Sequence, residues 1–408
     1  MDKKNKWIDL SILSLLVIGL SGVVLRSKIV FELPLINYNH LLEAHAHFTF
    51  GGWVTLALLF LMVYELLPGS VSSRRIYQWL LGSILAGAWA MFLTFLFAGY
   101  ETISVIASVF FILVTYVFAW VFIGDVLKAK LPATVSALAI CSVVSLVLSS
   151  AGSYILFFVF YTKSLDAILY RDALFTYLHF QYNGFFTLAI ISLLFHHIGQ
   201  RVEAKGHRNM SRFALLLIIS IIPSLFLSYL WQSPGPVLRV VAVSGSVLLL
   251  GSFCFFVLAS KSLYVIYREE KPVIRLLIFL SMGSFALKIF LQCFTIFPGI
   301  GNEIFGNRPI IMGFLHLVFL GFTSLFVLAY FAKKGYLDIS LRSTRTGLLV
   351  FALAVLLNET LLMSQGLATT MLLPGGNVFP WLLWLAGLCL LFGISLVYIA
   401  RRHTLKKL

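Results

Sequence analysis

Three stretches of this chain align on a histidine: His47-Phe-Thr-Phe-Gly-Gly-Trp-Val-Thr-Leu56, His179-Phe-Gln-Tyr-Asn-Gly-Phe-Phe-Thr-Leu188 and His316-Leu-Val-Phe-Leu-Gly-Phe-Thr-Ser-Leu325. Their common pattern is H-x-x-[FY]-x-G-[FW]-x-[ST]-L. It puts Phe50, Tyr182 and Phe319 three residues after the histidine, Gly52, Gly184 and Gly321 five after, and Trp53, Phe185 and Phe322 six after. The histidines lie 132 and 137 residues apart. Such a long, nearly constant period is the mark of internal repetition, which takes precedence over local readings.

Working outward, each stretch lies in an apolar run of about 20 residues or more, the length that crosses hydrocarbon as a helix. Of the 408 residues, 61% are hydrophobic and only 11% are charged, against roughly a quarter charged in soluble domains. A soluble domain is therefore excluded, and an outer-membrane barrel lacks its alternating pattern here. Twelve candidate helices start near residues 7, 41, 76, 102, 134, 173, 211, 237, 272, 309, 345 and 379. The repeat histidines fall on the second, sixth and tenth, so the helices divide into three groups of four. The expected fold is all-α: one polytopic membrane domain over residues 1–408, with twelve transmembrane helices in a pseudo-threefold, three-by-four arrangement.

The net charge of +15 resolves into a topology signal. Assigned to alternating sides, 23 Lys and Arg fall on the side of both termini, six on the other (Arg26, Lys28, Lys163, Arg171, Arg239, Arg308), and Lys288 falls within a span. By the positive-inside rule the termini are cytoplasmic, in a plasma or inner membrane. Nucleic acid is not an expected partner; the lipid bilayer is. The basic start Met1 to Lys6 resembles a signal peptide, but Val24-Leu-Arg-Ser-Lys28 follows the apolar run instead of small residues, so a retained first helix is expected. Cys141, Cys254, Cys293 and Cys389 form no C-x-x-C or C-x-x-C-H motif and read as small buried hydrophobes.

Of nine histidines, His196, His197, His207 and His403 fall at cytoplasmic ends, and His40, His45, His47, His179 and His316 lie outward. The three repeat histidines share a depth of about 10 Å. An ionisable side chain in a bundle interior is a functional hypothesis by default, and imidazole is a common metal ligand. The alternative is an interhelical hydrogen bond. The glycine five residues on offers close approach either to a macrocycle or to another helix. His45 and His47, two residues apart, point about 200° apart on a helix and should serve different sites. Glu43, one turn before His47, is placed to orient it. Lys288 with Gln292 and Glu359 with Asn358 lie at similar depth. Lys288 and Glu359 are expected to neutralise one another, the other reading being a proton relay.

Twelve spans in three groups of four, with His on spans two, six and ten, resemble the catalytic subunit I of haem-copper oxidases and nitric oxide reductases. His45-Ala-His47 also looks like the His-x-His of the NnrS family of haem- and copper-containing proteins associated with nitric oxide stress. The resemblance implies haem ligation by His47 or His45 with His316, and copper at His179, with Tyr182 three residues on where the oxidases place a tyrosine four on. The haem would be of b type, with copper as a second cofactor and an electron-donor protein or quinol as partner. Arg171, Arg239 and Arg308 are the outward arginines placed where haem propionates would emerge. The family's tandem His-His on helix seven is absent, since Ser211 to Trp231 holds no histidine, and so is its helix-ten H-x-H. The function implied is electron transfer or nitric oxide and oxygen handling without the full copper site; any turnover would be that of an oxidoreductase. Two other readings stand beside it: a secondary transporter using the intramembrane polar residues, and a trigonal His47–His179–His316 site for zinc or copper.

Overall fold

A chain crossing hydrocarbon must satisfy its backbone hydrogen bonds within itself, and each apolar run here does so as a helix. The computed structural model describes residues 3–232, 234–372 and 378–407, and among them there is no strand. Twelve helices are long and apolar enough to span: Lys4–Val30, Tyr38–Leu66, Arg75–Ala98, Thr102–Lys128, Ala133–Thr162, Ala167–Arg201, Ala204–Gln232, Pro236–Tyr267, Pro272–Phe294, Arg308–Lys333, Arg342–Thr370 and Val378–Thr404, here spans 1 to 12. The protein is an all-α, multi-pass membrane protein.

The expected starts are met within three residues except at spans 6 and 7, which begin six to seven residues earlier. Both carry charged residues near their openings, Arg171 and Asp172 in span 6 and Lys205 and Arg208 in span 7, which lower the local hydropathy without ending the helix. Asp166 accepts from the Ile168 and Leu169 amides at 3.0 and 2.9 Å, capping span 6. Span 7 opens with the polar run Ala204-Lys-Gly-His-Arg-Asn-Met210. Pro223 then interrupts it, and the last part, Phe226–Gln232, tightens to a 3₁₀ turn.

Packing repeats every four spans. Spans 1, 5 and 9 each pack along the histidine-bearing helix that follows. Spans 3 with 4, 7 with 8 and 11 with 12 form hairpins. Span 4 meets span 5, span 8 meets span 9, and span 12 meets span 1, which closes the ring. Spans 2, 6 and 10 fill its centre, 78%, 94% and 61% buried, against 28 to 56% for the other nine. An even number of spans puts both termini on one face, called here the terminal face. There Arg401 donates to Asp9, to the Tyr336 carbonyl and to Asn5, so the first and last spans are tied together.

Candidate functional site

Just after each repeat histidine the central helix widens into π-type turns: Thr49–Thr55, Phe180–Phe186 and Leu317–Ser324. The conserved-in-register hydroxyl eight residues after the histidine supports two of them. Thr187 Oγ1 donates to the Tyr182 carbonyl at 2.6 Å and Ser324 Oγ to the Phe319 carbonyl at 2.7 Å, each reaching five residues back. Such widenings re-aim side chains and are frequent at functional positions.

The widened turns turn aromatic rings inward. Phe50 meets Phe319 at 4.6 Å between centroids, and Phe186 meets Phe50 and Phe319 at 5.9 and 5.5 Å. This triad plugs the contact between the three repeats. The glycines serve helix packing. A Cβ on Gly184 would collide with Ser145 of span 5, and one on Gly321 would lie 2.7 Å from Ser284 Oγ of span 9. A Cβ on Gly52 would strike the Phe48 ring of its own helix.

Residues 51–64, 183–195 and, apart from Leu320, 317–332 are all buried. Towards the far face the same three helices open. His45, His47, Phe50, Tyr182, Phe314 and His316 all keep accessible surface, although several of them pack against partners across the bundle. Above this sealed floor the three central helices are less tightly enclosed on the far side of the bundle.

Two histidines in this region share one state. His45 Nδ1 is 2.9 Å from Ser21 Oγ of span 1. That hydroxyl gives its proton to the Ile18 carbonyl at 3.0 Å, so it accepts from His45 Nδ1–H. His316 Nδ1 lies 2.7 Å from the Met312 carbonyl, which can only accept. This anchoring favours a proton on Nδ1 in both rings, and among the described residues no side chain donates to either Nε2. Ligating histidines are characteristically anchored this way. His45 lies within electrostatic reach of His316, and Arg26 acts on both. Arg26 also lies within electrostatic reach of Arg308, so two guanidinium groups share this end of the bundle. Gly22 lets span 1 approach, since a Cβ there would stand 3.3 Å from His45 Cε1.

The other two expected ligands face elsewhere. His47 stacks on Phe95 at 4.1 Å and 8°, with Nε2 3.8 Å from Glu43 Oε2. His45 and His47 thus turn to different helices, spans 1 and 3, as their spacing requires. His179 is fully buried. Its Nε2–H donates to the Ile221 carbonyl at 2.8 Å, beside the Pro223 distortion, and its Nδ1 accepts from Asn183 Nδ2 at 3.0 Å. A metal at His179 would have to displace one of these bonds. No group of three His, Cys, Asp or Glu side chains placed to hold a metal occurs among the described residues. The trigonal His47–His179–His316 site is therefore not formed, because rings of the aromatic triad occupy the meeting point of the repeats.

The expected arginines separate likewise. Arg308 joins Arg26. Arg171 lies over the Trp231 ring at 4.3 Å and the Phe175 ring at 5.4 Å, and Arg239 is exposed at the start of span 8. The expected Lys288–Glu359 pair does not form. Lys288 turns to span 6, donating to Thr187 Oγ1 at 3.3 Å beneath the Tyr182 ring, 5.6 Å away. Glu359 instead accepts from its neighbour Asn358 at 3.1 Å. Spans 9 and 11 do touch, but the face of span 9 that carries Lys288 also carries Ser281 and Ser284, which pack on span 10.

On the terminal face the centre is closed by Glu65, which pairs with Lys334 at 2.6 Å and accepts from Tyr336 at 2.8 Å and Tyr330 at 3.3 Å. Sequence reasoning passed over this knot, as it did Ser21, Arg26 and Asn183. Asn183 was legible as a polar residue one turn after a buried histidine. Ser21 and Arg26 gave no such signal, because their partners are on other helices. Compared with known proteins, the sequence matches no protein-family model and no curated protein.

Proposed function

We propose that this chain is an integral membrane electron-transfer protein that holds a haem of b type between His45 of the first repeat and His316 of the third. The matched anchoring of the two imidazoles carries this reading: each is held through Nδ1, on helices from different repeats, with His45 within electrostatic reach of His316. The donor chemistry fits a bis-histidine haem. When bound, that group supplies one-electron redox chemistry.

The chain's own residues supply orientation and environment. Ser21 and the Met312 carbonyl fix the two rings. Arg26 and Arg308 would receive the haem carboxylates, for which guanidinium is the suited partner. The buried floor beneath excludes water from the terminal side. With His45 and His316 both holding the group, the role would be electron transfer between an electron-donor protein or a quinol and an acceptor. Turnover of nitric oxide or dioxygen is not part of this reading.

The reading makes the chain a divergent relative of the haem-copper oxidase subunit I fold that lacks the full copper site. Span 7 has no histidine, and both His179 nitrogens are engaged. The residues therefore do not fit the oxidase copper centre. The distribution of basic residues supports a plasma or inner membrane with both termini cytoplasmic.

The test is an optical spectrum of the detergent-purified protein, oxidised and dithionite-reduced. The expected result is a Soret band with sharp reduced α and β bands, lost in His45→Ala and His316→Ala and retained in His47→Ala and His403→Ala. A preparation that stays colourless after haem supplementation during expression overturns the reading and favours a secondary transporter.

A further inference from the structure

A cavity of about 100 Å³ lies between spans 6, 7, 9, 10 and 11. Its walls are apolar, among them Leu227, Ile311, Phe314 and Met363, and Tyr182 packs edge-on to Phe314 at 5.6 Å. A cavity of roughly 150 Å³ lined by such residues takes up a benzene ring, so this one, which is partly open, matches a single six-membered ring with a substituent extending outward.

One wall departs from that pattern. Gln292 lines the cavity, is only 7% exposed, and its Oε1 has no hydrogen-bond partner. A buried amide oxygen left unpaired is costly, and native structures rarely leave one without a role. The nearby Thr295 does not answer it, since its hydroxyl donates to the Gln292 backbone carbonyl at 2.8 Å. What the cavity lacks is a donor carried on an apolar, ring-sized body.

We propose that this cavity binds the hydroxyl-bearing ring of a lipid-soluble phenol or hydroquinone, whose O–H donates to Gln292 Oε1 while Tyr182 and Phe314 flank the ring. The apolar walls select a flat hydrocarbon body, and the single unpaired acceptor selects a hydroxyl on it. A site built to hydrogen-bond a hydroxyl rejects the analogue that lacks it far more strongly than a purely apolar site does. The site stands apart from the haem reading, because none of His45, His316, Arg26 or Arg308 lines the cavity.

The experiment is calorimetric titration of the full-length protein in lipid nanodiscs with 4-octylphenol, octylbenzene and decylhydroquinone. The expected result is saturable one-site binding of octylphenol, at least tenfold tighter than octylbenzene. Gln292→Leu should bring the two within about twofold of each other, and Met363→Trp, which fills the cavity, should abolish both. His316→Ala should leave octylphenol affinity unchanged, so that failure of the haem reading and failure of this one are told apart. Binding of decylhydroquinone as tight as that of octylphenol identifies hydroquinones as the source; binding of octylphenol alone identifies monophenols. Absence of saturable octylphenol binding, or an undiminished phenol preference in a folded Gln292→Leu protein, overturns the proposal.

Discussion

Trp53 of span 2 donates its indole N–H to Ser324 Oγ of span 10 across 2.8 Å, and Ser324 passes its own proton to the Phe319 carbonyl. Position six of the first repeat is thereby joined to position eight of the third. Trp53→Phe removes the donor and part of a fully buried side chain, with an expected loss of about 1–3 kcal/mol. Ser324→Ala should lose about 1 kcal/mol, as is typical of one interhelical bond in a membrane. Thermal unfolding in detergent measures both, and a Trp53→Phe protein as stable as wild type would show that the bond is not a structural link.

Gly184 and Gly321 hold the same repeat position but face different obstacles. A Cβ on Gly184 meets the Ser145 Cβ, which cannot rotate away, whereas one on Gly321 meets the mobile Ser284 hydroxyl at 2.7 Å. Gly184→Ala should therefore destabilise by about 2 kcal/mol or more, and Gly321→Ala by clearly less. Ser145→Gly should recover most of the Gly184→Ala loss, which a double-mutant cycle by thermal unfolding will read directly.

Ser21 touches His45, so a haem held as proposed would feel Ser21 only through that ring. Removal of such an orienting partner commonly weakens a bound metal group 10- to 100-fold, so haem retention during dialysis should fall by about that factor in Ser21→Ala. Ser21→Thr keeps the hydroxyl and should keep the affinity. Equal loss from both variants would mean that the space near His45, not the bond, matters.

Lys288 is buried, and among the described residues no carboxylate lies within ion-pair distance of it. Replacing a buried ionisable group by an apolar one of similar size is often neutral or stabilising. Lys288→Met is expected to raise unfolding stability by up to about 2 kcal/mol. A fall instead would mean that the bond to Thr187 outweighs the cost of burying the amine.

Glu65 closes the terminal face through one lysine and two tyrosines. Glu65→Gln leaves Lys334 without its partner and should destabilise by about 2 kcal/mol, less than a fully buried pair because Lys334 is partly exposed. The melting temperature at low and high salt checks this, with the wild-type advantage narrowing as salt rises.

Spans, their number and the threefold register were all legible in the order of residues, because each rests on properties that act over one helix: apolar length, the charges at its ends, and a histidine, glycine and hydroxyl at fixed spacing. The early starts of spans 6 and 7 escaped because charged residues near their openings lower the hydropathy while the helix continues, capped in span 6 by Asp166. The roles of the histidines were a different matter. His45, His47, His179 and His316 look alike in the chain, yet Ser21, Phe95, Asn183 with Ile221, and Met312 give them three different settings, one of them shared by His45 and His316. Which way an imidazole turns, and which nitrogen keeps a lone pair, depends on groups up to 48 residues away that only packing brings near. Lys288 and Glu359, matched in depth, likewise part because span 9 shows its polar face to spans 6 and 10. Local periodicity sets the helices, and the contacts between them set the chemistry.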